Sequence, residues 1–93
     1  MHIGILTLHI SLPGCQSLKE KRQRMGGLHE RFGRHPSVAV CESGELDRLE
    51  ASEWTFVAAA TTSQKVESLL SEIEDKIQRT VDGRVMEATR ELL

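Results

Sequence analysis

The chain has 93 residues, of which 39% are hydrophobic and 28% are charged, and its formal net charge is −2 at pH 7. This length predicts one domain, residues 1–93, with a single modest core. No apolar run approaches the roughly 20 residues of a membrane-spanning helix, and the apolar start MHIGILTLHI lacks the charged region and cleavage site of a signal peptide. We therefore expect a cytoplasmic globular protein that has no membrane partner.

The first predicted element is a strand, because HIGILTLHIS alternates between two faces. Leu6, Leu8 and Ile10 share the more apolar face. The other face carries Ile3, Ile5, Thr7 and His9. Pro13 and Gly14 then end the strand.

A helix over about 18–34 is predicted next. Ser17-Leu18-Lys19-Glu20 fits a capping box, in which serine and glutamate satisfy each other's free amides. Gly26 and Gly27 inside this helix should cost about 1 kcal/mol each relative to alanine. They indicate a close backbone approach, a kink or simple tolerance.

The rest of the chain predicts two strands, a helix and a last strand. SVAVCES and EWTFVAAAT are rich in strand-forming residues, and the acidic segment between them has no strand pattern. Thr61-Thr62-Ser63 offers helix N-caps. The apolar residues that follow at helical spacing are Val66, Leu69, Leu70, Ile73 and Ile77. After Asp82-Gly83, RVMEATREL predicts a last strand.

The order β-α-β-β-α-β predicts a ferredoxin-like α+β sandwich. Right-handed crossovers place both helices on one face of a four-stranded antiparallel sheet. The other face is left open, and it would carry Ile3, Ile5, Thr7 and His9. Because two isoleucines in water favour a covered surface, we expect a homodimer that forms through this face.

The stretch LPGCQSLKEKR, followed by a helix and SVAVCE, resembles the YlxP-like family of small bacterial proteins, a domain of unknown function. The resemblance extends over nearly the whole chain. It implies a ferredoxin-like fold, self-association through the sheet, and a connection with RNA, since members are often encoded near translation and ribosome-maturation factors. Leu49-Glu50 departs from the tryptophan and glutamine that members tend to have there.

Charge is segregated along the chain. Residues 13–35 carry a net charge of +4 and residues 42–53 carry −4, which favours a directional surface or self-association. Next to free amides at a helix start, the basic residues predict a site for RNA phosphates or another anion. The candidate residues are Ser17, Lys19, Lys21, Arg22 and Arg24. The alternative is that these cations are solvated or pair with the acidic segment, in the same molecule or in a partner.

Lys21 is an exception on the helical wheel, because its direction falls between Met25 and Leu28 on the apolar side. We expect its amine to extend past the edge of the packed surface into water.

Aromatic and reactive residues give weaker indications. Trp54 and Phe56 lie on one strand face, and we expect them in the core or a dimer contact rather than on an RNA-stacking surface. Cys15 is expected to be an ordinary loop cysteine, with a reactive thiol as the alternative. Cys41 is expected to be a small apolar filler. The four histidines lack metal-ligand spacing, so neither a metal nor another cofactor is predicted.

Together these patterns predict a non-enzymatic binding module that contacts RNA or ribosomal particles through its basic first loop and helix. The first alternative is a homo-oligomeric assembly module whose basic patch docks the acidic segment 42–53. The second is a thiol or phosphate-ester enzyme that uses Cys15. No small-molecule substrate is predicted.

Overall fold

Four strands and three helices follow one another in the order that the sequence predicts, except that the first helix is divided. The computed structural model describes residues 1–93. Its elements are β1 (His2–Ser11), α1 (Leu18–Arg24), α2 (Leu28–Gly33), β2 (Val38–Gly44), β3 (Ala51–Ala60), α3 (Ser63–Thr80) and β4 (Arg84–Leu92).

The strands form one antiparallel sheet in the order β2-β3-β1-β4. Both crossover connections contain helix, and the helices cover one face of the sheet, as right-handed crossovers require. The predicted ferredoxin-like fold is therefore confirmed. The central strands β1 and β3 pair along their whole length, from His2 opposite Ala60 to Ser11 opposite Ala51.

The core lies between the sheet and the helices. Leu6 and Leu8 of β1 are fully buried there, together with Phe56 of β3. Phe56 meets Phe32 of α2 edge to face, with ring centroids 5.5 Å apart, a favoured geometry for aromatic pairs. Trp54 is also buried, so of the two locations predicted for these strand aromatics, the core or a dimer contact, the structure shows the core.

The longest helix, α3, matches its sequence pattern closely. Thr62 caps it, because its Oγ1 accepts a hydrogen bond from the Lys65 amide at 3.2 Å. The buried residues of α3 are Val66, Leu70, Ile73 and Ile77, which pack on β1 and β3. No helix of the structure is both long and apolar enough to span a membrane.

The prediction of a single helix over 18–34 is wrong, because the helix is interrupted at Gly26 and Gly27. Both glycines have φ of +69°, a left-handed conformation that other L-residues adopt only at a cost. The break reorients the chain, so that α1 buries Lys21 whereas α2 buries Leu28 and Phe32. The kink was one of the interpretations that the glycine pair allowed.

Cys41 is not the apolar filler that its place in a strand suggests. It lies opposite Thr55 on the sheet face that carries no helix, and it is exposed. The register of β2 thus puts Val38 and Val40 under the helices and Cys41 on the open side.

Replacing Gly27 by alanine should distinguish the left-handed break between α1 and α2 from one continuous helix. A Cβ at Gly27 meets nothing within 4 Å, so the cost comes only from the left-handed backbone, and we expect the free energy of unfolding to fall by about 1–2 kcal/mol. Urea unfolding would measure it. Gly33→Ala is the matched control, since Gly33 lies inside α2 without positive φ. A gain of about 1 kcal/mol in Gly27→Ala would instead indicate a continuous helix.

Candidate functional site

Ser17 is the N-cap of α1, and its hydroxyl is used in that role. Its Oγ accepts a hydrogen bond from the Glu20 amide at 3.0 Å. The Glu20 carboxylate does not return a contact to the Ser17 amide. It faces Arg24 instead, with Oε2 3.4 Å from Nη1. Only the serine half of the predicted capping box is therefore formed.

Lys21 is buried, with only 4% of its surface exposed. Its Nζ donates hydrogen bonds to the carbonyl oxygens of Glu45 at 2.9 Å and Arg48 at 2.8 Å. It also lies 3.1 Å from Glu42 Oε2. The expectation that this amine reaches water is wrong. Three oxygens of the β2 end and the β2–β3 connection satisfy its three protons.

A chain of hydrogen bonds continues from Glu42 into the core. Ser52 Oγ donates to Glu42 Oε2 at 2.8 Å, and Trp54 Nε1 donates to Ser52 Oγ at 2.8 Å. We call Lys21, Glu42, Ser52 and Trp54 the Lys21 cluster. No buried side-chain nitrogen or oxygen in the protein lacks a partner. The burial of a charge here is therefore compensated by complete pairing.

Arg24 connects three separate segments. Its Nη1 donates to the Pro13 carbonyl and its Nε to the Asp82 carbonyl, both at 2.8 Å. The amide of Asp82 in turn donates to the Arg24 carbonyl. The guanidinium thus holds the β1–α1 loop and the α3–β4 turn against α1, and it is not free to bind a ligand.

Lys19 and Arg22 are the two predicted binding cations that remain exposed, and neither forms an ion pair. Two further exposed arginines, Arg31 of α2 and Arg34 just after it, are also unpaired. We call Lys19, Arg22, Arg31 and Arg34 the basic surface. The structure therefore divides the candidate residues: Ser17, Lys21 and Arg24 organise the fold, whereas Lys19 and Arg22 face solvent.

A cleft of about 400 Å³ opens beside the Lys21 cluster. It lies between α1, α2 and the β2–β3 connection, and we call it the helix cleft. Its lining includes Leu18, Lys21, Arg22, Gln23, Met25, Leu28, His29, Glu30, Glu42, Leu46 and Trp54. Sequence reasoning missed it, and the one available signal was Lys21, a cation directed at the apolar side of its helix.

The sheet face without helices is the open face, and it combines apolar and polar rows. Ile3 pairs with Ala59 and Ile5 with Val57. Further along β1, His9 Nε2 lies 3.3 Å from Glu53 Oε1. Ser43 Oγ donates to Glu53 Oε2 at 2.8 Å and accepts from Thr55 Oγ1 at 2.7 Å, and Thr55 Oγ1 lies 3.4 Å from Thr7 Oγ1. The structure thus brings Ile3, Ile5, Thr7 and His9 together on one face, as predicted.

Cys15 is buried in the hydrophobic core, and its Sγ donates a weak hydrogen bond to the Ser17 carbonyl at 3.5 Å. A thiol in that position is shielded from solutes. No three histidine, cysteine or acidic residues are grouped closely enough to hold a metal ion.

The comparison with protein families gives one clear result. The family described as a protein of unknown function, DUF503, matches residues 3–90. The chain belongs to the DUF503 family. No curated protein matches the sequence.

Solved structures resemble this DUF503 protein in fold. A candidate antibiotic biosynthesis monooxygenase from Chloroflexus aurantiacus is similar with a TM-score of 0.58 at 12% identity, over 100% of this chain and 93% of the other. SnoaB, a cofactor-independent oxygenase from Streptomyces nogalater, has a TM-score of 0.51 at 9% identity, over 99% and 90%. A de novo designed protein with a ferredoxin fold reaches 0.51 at 14% identity, over 100% and 83%. At these identities the likeness shows the fold alone.

Removal of the Lys21 amine should destabilise this DUF503 protein strongly. In Lys21→Ala two backbone carbonyls and the Glu42 carboxylate lose their donor, so we expect the free energy of unfolding to fall by about 2–3 kcal/mol. Urea unfolding monitored by Trp54 fluorescence would measure it. Lys19→Ala, on the exposed side of the same helix, should stay within about 0.5 kcal/mol of the wild type. Equal effects of the two substitutions would contradict the structural role of Lys21.

Proposed function

We propose that this DUF503 protein is a non-enzymatic, cytoplasmic, YlxP-like binding module that contacts RNA through its basic surface. The observation that carries the proposal is the division of the cations on α1 and α2. Lys21 and Arg24 are held by the chain's own oxygens, whereas Lys19, Arg22, Arg31 and Arg34 are exposed and unpaired.

The local charge supports an anionic partner. Among the acids between residues 17 and 35, Glu20 pairs with Arg24, so Glu30 alone opposes the four free cations. Cations without an intramolecular partner lose no salt bridge when they meet a phosphate. Displacement of counterions from the nucleic acid then supplies most of the binding free energy.

The acidic segment 42–53 supports RNA over the assembly alternative. Most of its carboxylates are engaged within the chain: Glu42 by Lys21 and Ser52, Glu45 by Arg48, and Glu53 by His9 and Ser43. The carboxylate of Glu50 accepts a hydrogen bond from the Gly14 amide at 2.9 Å. Asp47 is the acid that remains unpaired. One free carboxylate offers few ion pairs to the basic patch of another subunit.

The basic surface should determine both RNA affinity and its salt dependence. We expect the double variant Lys19→Ala/Arg22→Ala to bind single-stranded RNA more weakly and to make the slope of log affinity against log salt shallower by about 1.4. A filter-binding titration across salt concentrations measures both quantities. Lys65→Ala/Lys76→Ala on α3 is the matched control, because it removes equal charge from another exposed helix face.

Two outcomes would contradict the RNA proposal. One is the absence of RNA affinity at low salt, and the other is an equal loss in the α3 control, which would indicate attraction by overall charge. Lys21 is left intact in these variants, since its loss would confuse unfolding with lost contact.

We also propose that the protein forms a homodimer through the open face. Ile3, Ile5 and Val57 lie there without a covering element. The molecule measures 42 by 23 by 22 Å, so its sheet side can supply the roughly 800 Å² per partner of a standard interface.

Ile5→Lys should separate the dimer, because it places a charge among the apolar residues of the open face. Sedimentation equilibrium should give twice the chain mass for the wild type and the chain mass for the variant. Leu18→Lys, which changes an exposed leucine on the helix side, should remain dimeric. A wild-type protein that is monomeric at every concentration would exclude this interface.

A further inference from the structure

The helix cleft has an apolar body, an acceptor at its floor and a cation at its rim. Leu18 and Leu46 flank it with 51% and 59% of their surfaces exposed. Two exposed leucines that line the same cleft form an apolar patch of the kind that marks ligand-binding grooves. Its volume of about 400 Å³ lies within the range of small-molecule sites.

The floor presents a hydrogen-bond acceptor and no free donor. The three protons of Lys21 are taken by the carbonyls of Glu45 and Arg48 and by Glu42 Oε2, and the Trp54 indole donates to Ser52. Glu42 Oε1 accepts no hydrogen bond from the protein, and the Glu42 side chain is 26% exposed. A ligand in the cleft must therefore bring an N–H or O–H donor to this oxygen.

The rim has the opposite polarity. Arg22 lines the cleft and is unpaired, and it lies one helical turn from Lys19 on α1. A ligand that fits both ends is apolar and compact in its middle, donates a hydrogen bond inwards and carries an anion outwards. An apolar peptide side chain meets only the first of these requirements.

We propose that the helix cleft binds one nucleotide unit, with its base against Trp54, Leu18 and Leu46 and its phosphate at Arg22. Guanine fits these requirements, because an N–H donor of its Watson–Crick edge supplies the hydrogen bond that Glu42 Oε1 lacks, while Oε2 stays with Lys21 and Ser52. Unstacked bases are commonly bound in this manner by RNA-binding proteins. The inference rests on the proposed function and deepens it, because it names the part of an RNA that the cleft would bind. The same base and phosphate occur in a free nucleotide and in an unpaired residue of RNA.

Trp54 is the single tryptophan of the chain and lines the cleft, so under conditions in which the protein stays folded a change in its fluorescence reports on the cleft. We expect a saturable change on titration with GMP, a smaller affinity for guanosine, and no change with ribose 5-phosphate, which lacks the base. Leu46→Ser and Leu18→Ser should each weaken GMP binding by about fivefold or more. Arg22→Ala should weaken GMP but leave guanosine unaffected.

Met86→Ser is the matched control, because Met86 is an equally exposed apolar residue outside the cleft, with 63% of its surface exposed. It should bind GMP as the wild type does. An equal loss in Met86→Ser and Leu46→Ser would overturn the proposal.

A single-stranded RNA titration separates the two sources of the nucleotide. A Trp54 change with RNA but not with GMP supports an unpaired RNA residue as the occupant, and a change with GMP alone supports a free nucleotide as the occupant and leaves RNA binding to the filter-binding test. If neither ligand changes Trp54 fluorescence, the cleft proposal is overturned. The RNA proposal survives that result if filter binding still depends on Lys19 and Arg22.

Discussion

The contact on which the rest of the structure depends is the one between the Lys21 amine and the three oxygens around it. Removal of an ammonium group from water costs several kcal/mol unless its protons are satisfied. Here two backbone carbonyls and the Glu42 carboxylate satisfy them. Because these acceptors lie at the end of β2 and in the β2–β3 connection, the Lys21 side chain holds α1 against that end of β2. The two walls of the helix cleft are joined by that link.

The segregation of charge along the sequence acquires a different meaning in the folded chain. The positive segment 13–35 and the negative segment 42–53 face each other within one molecule, at Lys21 and Glu42. Arg24 adds contacts to Pro13 and Asp82. The groups available to a partner are therefore mainly cations. Most of the acids of segment 42–53 are paired within the chain, whereas four exposed cations are not. A net charge of −2 therefore does not show that four exposed cations of the α1–α2 region have no ion pair.

Most of the fold could be predicted from the sequence, because β1 and α3 follow the periods of a strand and a helix without interruption. The division of the first helix could not, since a glycine pair tolerates several backbone states and only packing chooses among them. The contacts of the candidate site could be predicted even less well. Helical-wheel geometry showed that Lys21 points inwards, but its acceptors are backbone carbonyls of Glu45 and Arg48, which leave no trace in side-chain patterns. The helix cleft depends on the same tertiary contact, so no local pattern marks it.

The β2–β3 connection has no strand pattern in the sequence, yet its position is well determined. The Glu50 carbonyl accepts from the Leu12 amide at 2.8 Å, and its carboxylate accepts from the Gly14 amide. Leu49 packs against the core. These contacts attach the connection to the end of β1, while Lys21 attaches it to α1. Since three of these attachments use backbone carbonyls, the connection can vary in sequence and still present residue 46 to the cleft. Variation at Leu46 should then change what the cleft binds without changing how the chain folds.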